Sequence, residues 1–269
     1  MTLTTQAIRA TCRLCGGETT PAFRAVVLGR HEADYVKCVR CESLQPAEPH
    51  WLEEAYRNEV RSAFDVGAAS RILVCQSLTY AVARLFRVRG RLLDFGGGDG
   101  LLCRLLRDVG FDAYTADKYS DVRYAKGFEA QLGPGFELVT AYEVLEHFLD
   151  PRAELASLFE GKPRLVLATT GLYRGEGADW PYLAKETGQH VFLYSPRAIR
   201  LIGERHGYDT HIGSWFILWS SERFTSAQRM GLRLFLASKM QRFIQAWLGL
   251  LPRRGIARDF AALAAARAK

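Results

Sequence analysis

Apolar residues along this chain change their period several times, and each change marks an element. From Trp51 to Phe86 they recur at helical steps: Leu52, Ala55 and Tyr56, then Ile72, Leu73, Leu78, Val82, Leu85 and Phe86. That spacing predicts helix over most of 51–86. Short apolar runs follow at Arg91–Phe95, Ala113–Ala116, Phe136–Tyr142 and Arg164–Ala168, with a later one at Trp215–Trp219. Runs of this length, bounded by glycine or polar turns, predict strands. Helical spacing returns between them at Leu101–Val109 (stopped by Gly110), around Pro151–Phe159, and at Ala198–His206 (stopped by Gly207). Such alternation predicts an α/β fold with a doubly wound, mainly parallel, Rossmann-like sheet.

Two stretches stand apart from that pattern. Residues 10–45 hold few apolar runs and are too few to build a core without a staple. They carry a Gly16-Gly17 turn and two Cys-x-x-Cys pairs, Cys12/Cys15 and Cys38/Cys41, separated by 22 residues. Each pair offers two thiolates from one tight turn, and tetrahedral zinc takes four such ligands, so a structural zinc ribbon with no open position is expected. Cys75 and Cys103 lie in apolar helical patterns and read as small buried hydrophobes. At the other end, Leu232, Phe235, Leu236, Phe243, Ile244, Trp247, Leu248 and Leu251 form an apolar stripe beside Arg and Lys. Residues 226–269 hold nine basic side chains against the single acid Asp259. Since the whole chain is only +7, the basic character belongs to this tail. A basic amphipathic helix can pack on its own domain, pair with a second subunit as a homodimer, or lie on an anionic membrane face. Packing is the favoured reading.

Length and composition bound the rest. The 269 residues leave room for one large domain and a small module, and 48% hydrophobic with 24% charged residues is ordinary for a globular chain. The expected domains are 1–48 (zinc ribbon), 49–88 (helical cap or linker), 89–225 (Rossmann-like domain) and 226–269 (basic helical tail). Met1–Arg9 lacks the apolar stretch of a secretory signal, so a cytoplasmic location is expected, in contact with the inner membrane face if the tail binds lipid.

The sharpest chemical signal is Asp94-Phe95-Gly96-Gly97-Gly98-Asp99-Gly100, where a strand runs into glycines at every second position and then into a helix. Glycines there permit a tight turn and close approach of a ligand to the main chain. A dinucleotide site needs Gly-x-Gly-x-x-Gly, and Leu101 stands where the third glycine belongs. Asp94 would repel a pyrophosphate but suits a ligand carrying sulfonium and ammonium groups. Asp117, 23 positions on and at the end of the next strand, can accept hydrogen bonds from both hydroxyls of a ribose. This combination fits S-adenosylmethionine better than NAD.

Together with Phe136–His147 (Phe-Glu-Leu-Val-Thr-Ala-Tyr-Glu-Val-Leu-Glu-His) and Asp150-Pro151, these segments resemble the successive motifs of class I S-adenosylmethionine-dependent methyltransferases over roughly residues 60–220. The resemblance implies a cofactor site built from Asp94, Gly96, Gly98, Gly100, Asp117, Glu143 and Arg71. Glu146 and His147 can simply cap the following helix, the reading set against a catalytic role for His147. The early Trp51-Leu52, Ala55-Tyr56 and Asp65-x-Gly67…Arg71 look like the segment that precedes the glycine motif in zinc-ribbon sugar methyltransferases. Gly188-Gln189-His190-Val191-Phe192-Leu193-Tyr194-Ser195 resembles a second stretch of that group, in which an acid–His pair supplies a base. Gln189 replaces the acid here.

The polar loop before Ala198 carries Tyr173, Asp179, Trp180, Tyr182, Gln189 and His190. Aromatic faces stack on sugar C–H surfaces and amides bind hydroxyls, so Tyr173, Trp180, Tyr182 and Gln189 are candidate substrate contacts. His190 is the candidate base. Sugar or small-molecule O-methylation is therefore expected, ahead of sugar C-methylation through an enolate. A nucleic-acid acceptor ranks lower: Glu143-Val144-Leu145 stands where adenine N-methyltransferases have an Asp/Asn-Pro-Pro-aromatic motif, and the chain has no Pro-Cys dipeptide. A non-catalytic cofactor-binding scaffold is the remaining alternative.

Overall fold

The computed structural model describes residues 10–57, 66–235 and 238–267. In chain order it shows β1 (Thr19–Val27), β2 (His31–Cys38), β3 (Leu44–Pro46), α1 (Leu52–Arg57) and α2 (Ala68–Leu85). Then come β4 (Arg91–Phe95), α3 (Leu101–Asp108), β5 (Ala113–Ala116), β6 (Phe136–Tyr142), α4 (Pro151–Glu160) and β7 (Leu165–Thr169). The last elements are α5 (Pro196–His206), β8 (Asp209–Ile212), β9 (Ile217–Ser220), α6 (Ser226–Phe235), α7 (Ser238–Leu250) and α8 (Arg254–Arg267). These elements cluster into two compact units. One comprises 1–66, 143–156 and 170–206; the other comprises 67–142, 157–169 and 207–269. The units cut across the boundaries expected from sequence, because the cysteine-rich segment shares a unit with the segments that follow β6 and β7.

The larger unit holds a six-stranded sheet in the order β5-β4-β6-β7-β9-β8. β5, β4, β6 and β7 run parallel, while β9 is antiparallel to both β7 and β8. Parallel strands are buried on both faces, which is why Leu165–Ala168 reads as an unbroken apolar run and Leu138–Ala141 is interrupted only by Thr140. The chain passes from β4 to β5 on one side and then crosses to β6 on the other. The strand order thus reverses at β4, and in open α/β sheets ligands bind beyond the carboxyl ends of strands at such a point. The polar edge strand β8 was not anticipated. Asp-Thr-His-Ile offers no apolar run, and it forms because Gly213 N–H bonds Phe216 O and closes a hairpin with β9.

The tail folds onto this unit. Leu232, Ile244 and Leu248 join the core that also contains Leu78, Val82 and Leu106. Asp259 is 2% exposed and accepts bonds from Arg107 Nε and Nη2 (2.7 and 2.9 Å), Arg104 Nη2 (2.8 Å) and Arg258 Nε (3.0 Å). The tail's single acid therefore ties it to α3. Phe243 and Trp247 from the same stripe stay exposed, as does Leu250 beside it, and Leu236 lies outside the described residues. No described helix is long and apolar enough to cross a membrane.

The smaller unit is built on the antiparallel sheet β1-β2-β3, three strands that period analysis did not find within residues 10–45. Its core gathers Val27, Tyr35, Leu44, Trp51, Ala55, Tyr173, Leu183 and Leu193. The expected helix over 51–86 is α1 and α2; residues 58–65, Asp65 among them, lie outside the described set.

Candidate active site

In the larger unit, β4 delivers the glycine loop into α3. Gly96, Gly98 and Gly100 all have positive φ (71, 59 and 83°), the conformation that glycine adopts without steric cost. Gly97 was not singled out by the alternating pattern, yet it is the most confined. A Cβ there would stand 2.4 Å from Thr115 Oγ1 and 2.5 Å from Asp94 Oδ2. Asp117 is held by three main-chain donors: Gly98 N–H to Oδ2 (2.9 Å), and Tyr119 and Ser120 N–H to Oδ1 (2.8 Å each). Its remaining lone pair on Oδ2 can take a ligand hydroxyl. Arg71, in the first turns of α2, is exposed.

Asp94 is 3% exposed. Its Oδ1 accepts from Thr140 Oγ1 (2.9 Å), while Oδ2 has no partner among the described residues. Burial, reinforced by the negative charge of Asp117, pushes its carboxyl up to about 7 against the pull of the Thr140 bond. A buried carboxyl with an orphan oxygen calls for a cationic partner. The donor set around the loop thus fits S-adenosylmethionine, with its positive sulfonium and ammonium groups and its ribose, and would repel a dinucleotide phosphate.

Glu143 is the first residue of the smaller unit's second segment and adopts φ 52°, a strained conformation for a side chain of this kind. Its Oε2 accepts from Tyr182 Oη (3.0 Å), and the same hydroxyl lies 2.7 Å from Glu146 Oε1. Burial, then Glu146 and Glu143, raise the Tyr182 hydroxyl well above its ordinary range, so it stays protonated and donates to this carboxylate pair. The Tyr182 ring lies where a Cβ on Gly171 would come within 2.4 Å, which fixes that glycine. Glu146 is fully buried, and its Oε2 has no partner among the described residues.

Two imidazoles complete this cluster. His190 Nδ1 lies 2.6 Å from Tyr182 O, and His147 Nδ1 lies 3.1 Å from Gln189 O. A carbonyl only accepts, so each Nδ1 carries a proton, and in the neutral ring the lone pair then lies on Nε2. The rings stand 5.0 Å apart edge to face, and His190 Nε2 is 4.0 Å from Glu146 Oε1. The helix-cap reading of Glu146 and His147 does not hold. Asp150 caps α4 instead, accepting from Ala153 N–H while Glu154 reaches back to Asp150 N–H (3.1 Å each).

The remaining candidates have other surroundings. Gln189 is buried with its amide donating to Ala55 O (2.9 Å), so it holds α1 rather than offering itself to a ligand. Tyr173 is buried in the core of the smaller unit, tilted against Trp180 with centroids 6.0 Å apart; Trp180 is half-buried and packs on Tyr182.

Cys12, Cys15, Cys38 and Cys41 are all buried, and their sulfurs lie within 4.8 Å of one another. The separations Cys12–Cys41 (3.6 Å) and Cys15–Cys38 (3.5 Å) approach the about 3.8 Å between thiolates around one tetrahedral zinc. Gly17 is needed beside them: a Cβ there would meet Cys38 Sγ at 3.2 Å and Cys15 Sγ at 3.3 Å. The four-thiolate set fits a closed zinc site.

Residues 69–211 match the family described as a methyltransferase domain. The chain belongs to that family. No curated protein matches it at a significant level. Solved structures similar to this methyltransferase include the methyltransferase domain of bacterial CtHen1-C (20% identity, 56% of this chain and 100% of that one, TM-score 0.40). Another is magnesium protoporphyrin IX methyltransferase (ChlM) from Synechocystis PCC 6803 (16%, 62% and 92%, 0.42). A third is 1,6-didemethyltoxoflavin-N1-methyltransferase from Burkholderia thailandensis (11%, 67% and 95%, 0.46).

Proposed function

We propose that this methyltransferase moves the methyl group of S-adenosylmethionine to a hydroxyl of a sugar or sugar-containing metabolite, with His190 taking the hydroxyl proton. The observation that carries the reading is the 2.6 Å contact of His190 Nδ1 with Tyr182 O, which in the neutral ring places the lone pair on Nε2, on a side chain that is 14% exposed. When bound, S-adenosylmethionine supplies an activated methyl on a sulfonium, so transfer needs alignment more than strong general-base catalysis. Asp94 neutralises donor charge, Asp117 holds the ribose, and the glycines let the donor approach the main chain. Arg71 and Glu143 are proposed as further donor contacts. Trp180 offers aromatic surface to a sugar ring with the buried Tyr173 packed behind it, while Tyr182 and Gln189 hold the acceptor-side residues in place.

The cysteine cluster carries structural zinc in this reading. The tail's exposed Phe243, Trp247 and Leu250, beside its basic residues, are proposed to touch anionic lipid, which would bring the enzyme to a membrane-linked acceptor. The decisive experiment follows transfer of labelled methyl from S-adenosylmethionine to free sugars, nucleotide sugars and RNA, with wild type and His190→Ala. Transfer to a sugar, at least tenfold slower in the variant at equal donor affinity, is expected. Transfer to RNA alone, or an unimpaired variant, overturns the reading.

A further inference from the structure

Glu146, His147 and His190 each offer one donor atom, and these atoms lie within 4.8 Å of one another inside the smaller unit. Three observations single the group out from an ordinary buried polar cluster. Glu146 is fully buried, yet its Oε2 has no hydrogen-bond partner among the described residues. Both imidazoles give Nδ1–H to a main-chain carbonyl, Gln189 O and Tyr182 O, which turns each Nε2 into a lone-pair donor. Metal-ligating histidines are oriented in just this way by their outer partners. The second oxygen of Glu146 is held by Tyr182 Oη at 2.7 Å, as ligating carboxylates commonly are.

We propose that Glu146, His147 and His190 form a site for a divalent first-row cation, distinct from the four-cysteine cluster. Donors about 2.1 Å from a shared ion stand about 3 to 4 Å apart, so the ion draws these side chains together by an ångström or so. The segments that carry them are already tied to each other. Glu146 O accepts from Val191 and Phe192 N–H (2.9 and 3.1 Å), and Leu145 O accepts from Tyr194 Oη (3.1 Å). Two imidazoles and one carboxylate are harder than four thiolates, so manganese or iron(II) suits this site and zinc suits the cysteines. Three protein ligands leave coordination positions open. A hydroxyl entering one of them is acidified by the ion and gives its proton to solvent water, with His190 then serving as a ligand in place of the proton-acceptor role proposed above. That last step rests on the hydroxyl-acceptor reading above; the binding site does not.

The test uses the full, zinc-loaded chain titrated with Mn²⁺, followed by loss of the free-ion paramagnetic resonance signal and by calorimetry. One Mn²⁺ per chain is expected. Glu146→Gln and His147→Asn should each weaken it at least tenfold, with far-ultraviolet circular dichroism and S-adenosylmethionine affinity unchanged. His190→Gln provides a third variant at a less buried position if Glu146→Gln fails to fold. No Mn²⁺ bound by folded protein overturns the proposal, as does binding that survives all folded variants or is removed by Cys41→Ser alone. Failure to bind S-adenosylmethionine would instead overturn the donor reading and leave this titration as it stands.

Discussion

The orphan oxygen of Asp94 makes donor affinity depend on pH in a defined direction. In the free protein burial holds this carboxyl at about 7, so about half the molecules are protonated near neutrality. A cationic donor pairs with the ionised form and drags its pKa well down. Below pH 7 each binding event must therefore expel a proton, and affinity falls about tenfold, or about 1.4 kcal/mol, per pH unit. Between pH 8 and pH 6 the dissociation constant should rise about tenfold. Stability moves the opposite way. A carboxyl whose folded pKa is raised contributes stability that is fully present below its unfolded value near 4. That contribution is lost as pH rises through about 7. The free protein should thus melt lower at pH 8 than at pH 6 as far as this group is concerned, and bound donor should close the gap. Calorimetric titration with S-adenosylmethionine at pH 6, 7 and 8, in buffers of different ionisation enthalpy, measures both affinity and protons released. Asp94→Asn is the control and should bind weakly with a flat profile. Affinity independent of pH in wild type, with no proton release at pH 6, would refute the argument that Asp94 is the counter-charge.

Three further outcomes follow from the packing. Gly97→Ala drives a Cβ to within 2.5 Å of Asp94 Oδ2 and 2.4 Å of Thr115 Oγ1, so donor affinity measured by calorimetry should fall at least tenfold. Asp259→Asn leaves the 5%-exposed Arg107 side chain with only the half-exposed Asp112 (3.1 Å) as counter-ion, which costs about 3 kcal/mol. That corresponds to a drop of about 10 °C in the thermal melt. Asp259 is itself held down at about 2; burial opposes this, and its bonds to Arg107, Arg258 and Arg104 outweigh it. Its stabilisation is present above about pH 4 and is lost as acid titration passes through about 2. Stripping the zinc proposed at the four cysteines with a strong chelator should abolish turnover while leaving S-adenosylmethionine affinity within about threefold, because the glycine loop belongs to the other unit.

The sheet was legible because β4, β6 and β7 are buried on both faces and therefore written as apolar runs. The edge strand β8, all half-buried with Asp209 and His211 in it, carries no such signature. β1 escaped for a related reason: its pattern is mostly exposed, and what holds it is pairing with β2 from Thr19–Cys38 to Val27–His31. On the proposed donor side, the alternating glycines and the acids Asp94 and Asp117 stand out in the sequence because they fall within one strand–loop–helix and the end of the strand that follows it. Gly97 was missed because its constraint comes from Thr115, on a different strand. The acceptor side was harder. His190 was visible, but its partners Glu146 and His147 lie over 40 positions away, and their role depends on which carbonyls the two Nδ1 atoms face. Gln189 illustrates the same limit: an amide beside a candidate base looks like a ligand contact until its Nε2 is found on Ala55 O.

The cysteine-rich segment gains a purpose from these connections. Arg13, between the first pair of cysteines, donates to Val191 O and to Leu149 O (3.0 Å), reaching both segments that carry the Glu146–His147–His190 cluster. Ser195 Oγ donates to Cys41 O, and Leu44 exchanges both main-chain bonds with Leu193 (2.9 and 2.8 Å). Arg205 Nη1 donates to Leu14 O (3.1 Å). Every one of these bonds ends on a residue in or next to a cysteine knuckle, or on the strand that follows it. A segment of some 35 residues has too little apolar surface to hold such geometry by burial alone, and a zinc ion on the four buried cysteines, as proposed above, would replace the missing core. On the zinc proposal, metal binding at the cysteines is coupled to the position of His190, and the cysteine-rich segment acts on the proposed acceptor-side residues rather than as a separate binding module. The coupling can be separated from general unfolding: Arg13→Lys keeps the charge and the cysteines but loses the two-carbonyl fork. It should retain its zinc and most of its melting temperature while turnover falls several-fold at constant donor affinity, and an unchanged turnover would show that the ribbon does not position His190.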